Sequence, residues 1–596
     1  MTKRHFAVLA ITLILSACGG DDPYAVAPEA GAASAMLAAL FDEHFERNLE
    51  LNPIEASAIG DNRYNDRLAV SNSAEYRAAM LALDTEFLDR LRAIDRQELS
   101  EQEQLSYDIF ERHRMMSLER NNYPFHLQPI NQFYSMMNSF VRLGSGASYH
   151  PFETVKDYDD FLSRTEDFVA NVDAAIENMK VGVGEGVVQP EVLMIKVVPQ
   201  LESQLVDAAE ESAFWMPIEN MPDDVDAADR ERLENAYRDA IENRIIPAYE
   251  RLNNFIGDTY LAASRDTIGL GALPNGDAWY AYLVRYYTTT ELTPDEIHAI
   301  GLAEVARIHE EMHGVMEAVG FEGTLAEFFE FVNTDEQFFF DDPEEMIRGY
   351  QAMADRVRVL ARALFDVEPK TGFEVRRVEP FREQSASAAS YESGTPDGTR
   401  PGVFYANAYN LKSRPKWNME TLFLHEAIPG HHFQISVQQE NEELPKFRRF
   451  DGFTAFIEGW GLYSETLGKE LGMFEDPYQY FGTLNYELWR AIRLVTDTGI
   501  HAKGWTRQEV IDYMLANSAV AETRAIQEAE RFMAIPGQAL AYKIGQLRIR
   551  EIRDKAEARL GDRFDVVAFH RQVLKDGSMP LSMLEAKIDR WVDAQF

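Results

Sequence analysis

Apolar residues recur three and four positions apart along most of this chain, with polar residues between them and turn-forming residues where the pattern breaks. The stretches that begin at residues 39, 75 and 231 all have this spacing. It places the apolar side chains on one face of an α-helix, which can then pack against other helices. The pattern covers residues 35–260 and resumes from residue 418 to the end, so the sequence predicts a mostly α fold.

Residues 373–410 depart from the helical period. FEVRRV alternates apolar and polar positions, a segment rich in Ser, Gly and Pro follows, and VFYANAYN then resumes an extended pattern. A period of two is typical of half-buried strands, and Gly and Pro mark the loop between them. We therefore predict a small β-sheet in the helical body, near the candidate active site.

The chain has 596 residues, which is enough for a large core and more than one domain-sized unit. It contains neither a convincing internal repeat nor a clear linker. We predict one two-lobed body, with an N-terminal helical lobe over residues 35–270 and a catalytic lobe over residues 271–596. A helix of the second lobe is predicted to start at Thr293, because Thr293 suits the cap, Pro294 the first turn and Glu296 the reciprocal bond to the cap.

The first residues have the pattern of a secretory signal. Lys3 and Arg4 precede a short apolar run that ends in Leu-Ser-Ala-Cys at residues 15–18. The pattern predicts a signal peptide over residues 1–17, lipidation of Cys18 and a lipid-anchored tether over residues 18–34. It resembles a bacterial lipoprotein signal and implies the cell envelope, on the periplasmic face of the outer membrane. The alternative is an ordinary secretory signal with an incidental cysteine.

The formal charge of the chain is -41 at pH 7, and no basic tract offsets it. Nucleic acid is therefore excluded as an expected partner, because its phosphates would be repelled. Cys18 is the only cysteine, so the mature chain cannot form an internal disulfide. No later stretch is apolar enough for a membrane helix, so the only membrane contact we expect is the lipid anchor.

The strongest candidate chemistry lies in the stretch FLHEAIPGHHFQ over residues 423–434. Two histidines four residues apart on a helix can bind one metal ion. Here the next histidines come six and seven residues after His425, which is wrong for a straight helix. Pro429 and Gly430 disfavour regular helix, so a bulge or kink there would return a later histidine to His425. The sequence leaves the choice between His431 and His432 open.

A third ligand is predicted further along the chain. Glu458 lies in the apolar run GFTAFIEGWGLYSE, where a buried carboxylate needs a partner. A catalytic zinc site takes about three protein ligands and leaves one position open. His425, one of His431 and His432, and Glu458 are therefore the candidate ligands. The competing interpretation is a pair of buried structural histidines.

A second stretch, HEEMH over residues 309–313, has the usual zinc-helix pattern: two histidines four residues apart, with a glutamate after the first. Its histidines lie at the border of the apolar stripe, and Glu311 stands between them. Zinc helices are usually buried and uncharged between their histidines, so a solvated helix face is the better interpretation of this stretch.

Two further residues are candidate oxyanion donors. Asp497 and His501 are four apart, so on a helix the carboxylate could orient the imidazole, although a surface pair would have the same spacing. Tyr542 follows a Pro-Gly turn, and a tyrosine hydroxyl is a common donor to a developing oxyanion. A tyrosine at helical spacing is also common in a core.

Four motifs together resemble one known family: HEAIPGHHFQ, EGWGLYSE, DTGIH and PGQALAYKIG. The chain resembles bacterial lipoproteins of the "domain of unknown function 885" family over roughly residues 35–595. That family in turn resembles zinc metallopeptidases of the thimet oligopeptidase and thermostable carboxypeptidase type. The resemblance implies a two-lobed helical fold with a deep channel, zinc at His425, His431 and Glu458, and Glu426 as general base. His501 and Tyr542 resemble the donors to the scissile carbonyl.

The function hypothesis is zinc-dependent hydrolysis of short or unfolded peptides at the cell envelope. The strands near VFYANAYN are expected to pair with the substrate backbone as a sheet edge. One alternative is a non-catalytic lipoprotein that binds peptides or cell-wall fragments in a degenerate cleft. Another keeps the metal but hydrolyses a different amide or an ester.

Overall fold

The computed structural model describes residues 31–378, 383, 387–398 and 400–596. The predicted signal peptide and Cys18 lie outside the described residues. Of the predicted tether over residues 18–34 only the end is described, and a helix already begins there at Ala32. Within the described chain, every helix is too short or too polar to cross a membrane.

Helices make up most of the structure, which confirms the mostly α fold. The first half contains α1 (Ala32–Leu51), α2 (Pro53–Ala58), α3 (Ala74–Arg92), α4 (Glu101–Arg120), α5 (Met136–Gly144), α6 (Val155–Glu185), α7 (Glu191–Glu202), α8 (Met216–Glu219), α9 (Ala227–Ala240), α10 (Ile246–Phe255), α11 (Leu261–Ala263) and α12 (Gly276–Thr288). The second half contains α13 (Pro294–Ala318), α14 (Leu325–Thr334), α15 (Pro343–Ala361), α16 (Met419–Glu426), α17 (His431–Glu440), α18 (Lys446–Phe450), α19 (Thr454–Thr466), α20 (Pro477–Lys503), α21 (Arg507–Asn517), α22 (Glu522–Ala534), α23 (Leu540–Leu560), α24 (Val566–Leu574) and α25 (Leu581–Asp593).

The predicted helix start at Thr293 is confirmed. The Thr293 hydroxyl accepts a hydrogen bond from the Glu296 amide, and the Glu296 carboxylate accepts one from the Thr293 amide at 2.8 Å. Pro294 occupies the first turn, where its missing amide costs no hydrogen bond. This reciprocal cap satisfies two backbone donors that the start of a helix otherwise leaves unpaired.

The predicted small sheet is also present, with strands β1 (Phe373–Arg377), β2 (Ala389–Glu392) and β3 (Gly402–Ala406). β3 lies between the other two, parallel to β1 and antiparallel to β2. Val403–Ala406 of VFYANAYN is hydrogen-bonded on both sides, so β3 itself offers no free edge to a substrate. Any edge open to a peptide belongs to β1 or β2.

The buried apolar residues form several cores. Residues of α1, α3 and α4 share one core with α15, the sheet and the C-terminal helices, so that Leu37 and Phe87 belong to the same cluster as Trp460. A second core lies almost entirely within residues 130–260. The boundary predicted between residues 270 and 271 therefore does not coincide with the division between these cores. The first three long helices belong with the C-terminal part.

Helices α19 and α23 approach each other closely at a pair of glycines. A Cβ added at Gly545 would lie 2.0 Å from the Ala455 carbonyl oxygen and 2.7 Å from the Gly459 Cα. Only glycine fits at such a distance from another backbone. Gly459 directly follows Glu458, so this contact sets the position of the helix that carries a predicted metal ligand.

We expect Gly545→Ala to destabilise the protein by about 1–3 kcal/mol, because the added methyl group forces the two helices apart. The measurement is the shift in the urea unfolding midpoint. Gly184→Ala in α6 is the control, since no atom lies within 4 Å of its added Cβ. An unchanged midpoint for Gly545→Ala would contradict the close packing.

Candidate metal centre

The motif HEAIPGHH does not form one distorted helix; it joins two helices. α16 ends at Glu426 and α17 begins at His431, with Gly430 at its start. The Ile428–Pro429 peptide bond in between is cis. A Cβ at Gly430 would lie 1.8 Å from the His425 carbonyl oxygen, so glycine is required where the chain returns to the end of α16. The prediction that Pro-Gly brings a later histidine back to His425 is correct, but the geometry is a break in the helix.

His425, His431 and Glu458 converge on one point. Their ligand atoms all lie within 4.8 Å of one another. The Glu458 Oε2 atom is 3.6 Å from His425 Nε2 and 3.4 Å from His431 Nε2. His425 is only 4% exposed, while the side chains of His431 and Glu458 retain 12% and 19% exposure. The three groups therefore have one side open to the surrounding cleft.

This donor set fits a divalent metal ion. Two imidazole nitrogens and one carboxylate oxygen are the protein ligands of many catalytic zinc sites, with a fourth position left open. Within the described chain, the buried Glu458 Oε2 and His431 Nδ1 atoms have no hydrogen-bond partner. A buried carboxylate oxygen without a partner is costly, and a cation between the two imidazoles would compensate for it.

The electrostatics of the three groups point the same way. Burial lowers the pKa of His425, but the nearby Glu458 and Glu465 carboxylates outweigh burial and raise this pKa to about 9. Burial raises the pKa of the Glu458 carboxyl, but the two imidazoles outweigh it and hold this pKa well below its ordinary value. Positive charge is therefore favoured between the three side chains, and a metal ion supplies it without a proton.

The motif EGWGLYSE on α19 builds the rest of the centre around Glu458. The Trp460 Nε1 atom donates to the Pro429 carbonyl oxygen at 2.8 Å and so ties α19 to the loop between the two histidines. A Cβ at Gly461 would lie 2.7 Å from the His425 ring, so this glycine makes room for the imidazole. The motif thus contributes a ligand, a hydrogen bond to the loop and the space for a second ligand.

Sequence reasoning missed Glu465, which lies two helical turns after Glu458. Its Oε1 atom is 2.8 Å from the His425 Nδ1 atom, and the Glu465 side chain is almost completely buried. A carboxylate on the second nitrogen of a metal-binding histidine fixes the tautomer and the ring orientation. The available signal was the spacing of seven residues, which places both glutamates on one face of α19.

The structure separates the two adjacent histidines that the sequence left open. His431 joins the triad, whereas the His432 Nδ1 atom is 2.9 Å from the Tyr391 hydroxyl of β2. The His432 ring packs on Phe373 at 4.8 Å between ring centres. His432 therefore connects α17 to the sheet.

Glu426, the predicted base, is the last residue of α16 and directly follows His425. It is partly exposed, whereas every other residue from Thr421 to Gly430 is buried. Glu426 is therefore the residue of this stretch that keeps contact with the solvent.

His501 lies elsewhere, and its predicted partner is wrong. Its Nδ1 atom accepts a hydrogen bond from the Leu270 amide at 3.1 Å, and its Nε2 atom donates to the Phe532 carbonyl oxygen at 3.0 Å. Asp497 instead accepts hydrogen bonds from the Tyr280 hydroxyl and the Gly537 amide. With both ring nitrogens engaged by backbone, His501 connects three segments and has no free donor for an oxyanion.

Burial governs the charge states of this second pair. It lowers the pKa of His501 to about 3 and raises the pKa of the Asp497 carboxyl to about 7. A neutral His501 suits its two backbone hydrogen bonds, one accepted and one donated.

Tyr542, the other predicted donor, lies within reach of the charge on Glu458. Burial raises the pKa of Tyr542, and the Glu458 carboxylate raises it further. The Tyr542 hydroxyl accepts hydrogen bonds from the Arg531 Nη2 and Gln538 Nε2 atoms, each at 3.4 Å. Its own proton stays available to another acceptor.

The stretch HEEMH lies on α13 and belongs to a different surface. The His309 Nε2 atom contacts the Asn517 carbonyl oxygen at 2.8 Å, and His313 is exposed. Glu311 pairs with Arg307 and accepts a hydrogen bond from the Tyr480 hydroxyl. In the described part of the chain, His425, His431 and Glu458 are the group of three found close enough to share a metal ion.

Comparison with known proteins identifies the family. Residues 53–588 match the model of the family described as bacterial protein of unknown function (DUF885). The chain belongs to this family. No curated protein matches the DUF885 chain.

Two solved structures are similar to this DUF885 protein. A protein of Colwellia psychrerythraea, described as a candidate lipoprotein, is 28% identical, with a TM-score of 0.87 over 94% of this chain and 99% of that one. A Shewanella oneidensis protein, described as a candidate lipoprotein of unknown function, is 18% identical. Its TM-score is 0.73 over 92% of this chain and 99% of that one, which shows a shared fold.

We expect Gly461→Ala to weaken metal binding by this DUF885 protein at least about tenfold, because the methyl group displaces the His425 ring. The helix itself should persist, since alanine favours helix over glycine. Competition with a chelating dye measures the metal affinity, and circular dichroism measures the helix content. Gly314→Ala in α13 is the control, because no atom lies within 4 Å of its added Cβ. Wild-type affinity in Gly461→Ala would refute the placement of His425.

We expect Glu465→Gln to lower the metal affinity by about 10–100-fold, because His425 loses the carboxylate that orients it. The same dye competition measures the loss. Glu470→Gln serves as the matched control: it removes a nearby charge that pairs with Arg553 at 2.8 Å and not with the triad. Equal affinities for the two variants would show that Glu465 has no such role.

Proposed function

We propose that this protein is a zinc-dependent hydrolase of peptide bonds, acting on short or unfolded peptides at the bacterial cell envelope. The observation that carries the proposal is the convergence of His425, His431 and Glu458 on one partly open point. Glu426 directly follows His425 in the sequence and is partly exposed. Two imidazoles, one carboxylate ligand and one further carboxylate are the groups that metal-assisted hydrolysis requires.

When bound, zinc supplies a Lewis acid that lowers the pKa of water and polarises a carbonyl group. Glu426 is the proposed general base, which accepts the proton of the attacking water at its carboxylate and returns it to the leaving amine. Tyr542 is the proposed donor to the carbonyl oxygen, because its hydroxyl proton is free and it lies near Glu458. His501 has no part in the proposal, since backbone groups occupy both of its nitrogens.

The surroundings of the triad support a preorganised centre. Glu465 contacts the second nitrogen of His425, and Trp460 ties α19 to the loop before His431. Rigid elements with a second layer of hydrogen bonds hold metal ligands better than loops do. Nothing in a purely structural pair of histidines requires this layer.

The proposed location follows from the start of the chain and from its relatives. The pattern at residues 15–18 predicts lipidation of Cys18, and both similar structures carry the description of lipoprotein. We propose an outer-membrane lipid anchor with the body on the periplasmic side. Peptides in that compartment are the expected substrates.

The test compares the wild-type protein with Glu426→Gln, both purified without chelators. We expect both proteins to contain about one zinc ion per chain, as measured by inductively coupled plasma mass spectrometry. Hydrolysis of a peptide library should fall by about 10²–10⁴-fold in Glu426→Gln, because the variant keeps the ligands but loses the base. His425→Ala should lose the zinc.

His309→Ala is the matched control, and it should keep both zinc and hydrolysis. A wild-type protein without zinc would contradict the proposal and favour a binding protein with a degenerate cleft. Zinc with no cleaved peptide bond would favour hydrolysis of another amide or of an ester. Full activity in Glu426→Gln would exclude Glu426 as the base.

A further inference from the structure

Three arginine side chains share one buried carboxylate beside the candidate centre. Glu528 Oε2 lies 3.0 Å from Arg493, and Glu528 Oε1 lies 3.2 Å from Arg524 and 3.4 Å from Arg531. Glu528 itself is 3% exposed. We call Arg493, Arg524 and Arg531 the arginine cluster. One carboxylate cannot neutralise three guanidinium groups, so the cluster keeps an excess of about two positive charges.

The cluster borders the candidate centre through Tyr542. The Arg531 Nη2 atom contacts the Tyr542 hydroxyl at 3.4 Å and donates to the Gln538 Oε1 atom at 2.8 Å. The Arg493 guanidinium lies 4.8 Å from the centre of the Tyr542 ring. Arg493 lies one turn after Arg490 on α20, and Arg490 lies 3.4 Å from Glu465, which contacts His425 at 2.8 Å. The cluster and the triad are therefore linked through α20 and Glu465.

Another arginine of α20, Arg490, adds positive charge beside the arginine cluster. Arg490 lies 3.4 Å from Glu465 and 4.6 Å from the centre of the Tyr486 ring. The arginines therefore outnumber their carboxylate partners here, although the whole chain carries a charge of -41.

Several of these arginines have an Nε–H group that makes no hydrogen bond to a described residue. The buried Nε atoms of Arg490, Arg493 and Arg531 have no hydrogen-bond partner within the described residues. Buried polar groups in native structures are usually paired, and exceptions mark missing water, ions or ligands. A structural ion-pair network would be expected to satisfy its own donors and to balance its charge.

We propose that the arginine cluster is a subsite for a carboxylate of the substrate, and that Arg531 is the residue that contacts it. The proposal rests on the peptide-binding function proposed above. The planar guanidinium fork matches a carboxylate through two parallel hydrogen bonds, which explains why arginine and not lysine occupies these positions. In a peptide, such a carboxylate comes from the C-terminus or from an acidic side chain.

The loop opposite Arg531 gives the subsite a second wall. The Phe133 ring lies 5.7 Å from the Arg531 guanidinium, and Phe133 is 45% exposed. The loop is fixed to α22, because Asn131 and Gln132 donate to the Ala534 and Glu530 carbonyl oxygens. An aromatic wall beside a guanidinium suits the apolar part of a residue that carries a carboxylate.

The test measures binding separately from hydrolysis. Calorimetry compares three probes: acetylated penta-alanine with a free C-terminus, its C-terminal amide, and an amide with one internal glutamate. The protein is the mature chain with Glu426→Gln, with zinc and after chelation. We expect at least one of the two carboxylate probes to bind about tenfold more tightly than the plain amide in both forms. The tighter of the two identifies the source of the carboxylate.

Arg531→Gln should remove most of this preference, so that the three probes bind with similar affinities. Arg548→Gln is the matched control, because Arg548 pairs with Glu551 and Glu585 away from the cleft. If Arg531→Gln fails to fold, Gln538→Glu tests the same point, since it places a carboxylate against Arg531. It should abolish the preference with Arg531 still present.

Equal binding of all three probes would overturn the proposal. So would a preference that survives Arg531→Gln and disappears with the metal, because the carboxylate would then be binding the metal ion. Preference without any hydrolysis by the wild-type protein would sink the hydrolase and keep the subsite. Hydrolysis by the wild-type protein without a preference for the carboxylate probes would support the hydrolase and exclude the subsite.

Discussion

The candidate centre depends on the reversal of the chain between Glu426 and His431. His425 and His431 lie six residues apart, a spacing at which a continuous helix would point them in different directions. Gly430 fits against the His425 carbonyl oxygen where a side chain would collide, and Trp460 holds the Pro429 carbonyl oxygen from the neighbouring helix. The break in the helix is thus fixed by tertiary packing, and both imidazoles depend on it.

Bringing these groups together is unfavourable without a cation. Glu458 and Glu465 are carboxylates in a largely buried setting, and desolvation alone would raise the pKa of Glu458. Charged imidazoles reverse that effect, which is why the pKa of His425 rises to about 9. A metal ion replaces the protons in this role, so its binding should release protons and couple to the stability of α16, α17 and α19.

The sequence specified local features well and long-range contacts poorly. His425 and Glu458 follow from motif chemistry, which left His431 and His432 open, and the cap at Thr293 follows from residues 293–296. The central position of β3 could not be predicted, because strand order depends on pairing between distant segments. The role of His501 was also out of reach, since its partners Leu270 and Phe532 lie far from it in the sequence. Glu465 was accessible, because its spacing from Glu458 is a helical period.

The arginines around Glu528 are unusual for a protein interior, where buried charges are normally balanced by partners. Arg493 and Arg531 are largely buried, whereas the Arg524 side chain is 49% exposed. Burying two guanidinium groups costs free energy that one shared carboxylate does not fully offset. Local arrangements that reduce stability without a packing benefit tend to mark functional sites. The rest of the chain is strongly negative, so an anionic ligand is repelled elsewhere and attracted to the arginine cluster. The same field would orient an approaching peptide with its carboxylate toward Arg531 and its backbone toward the triad.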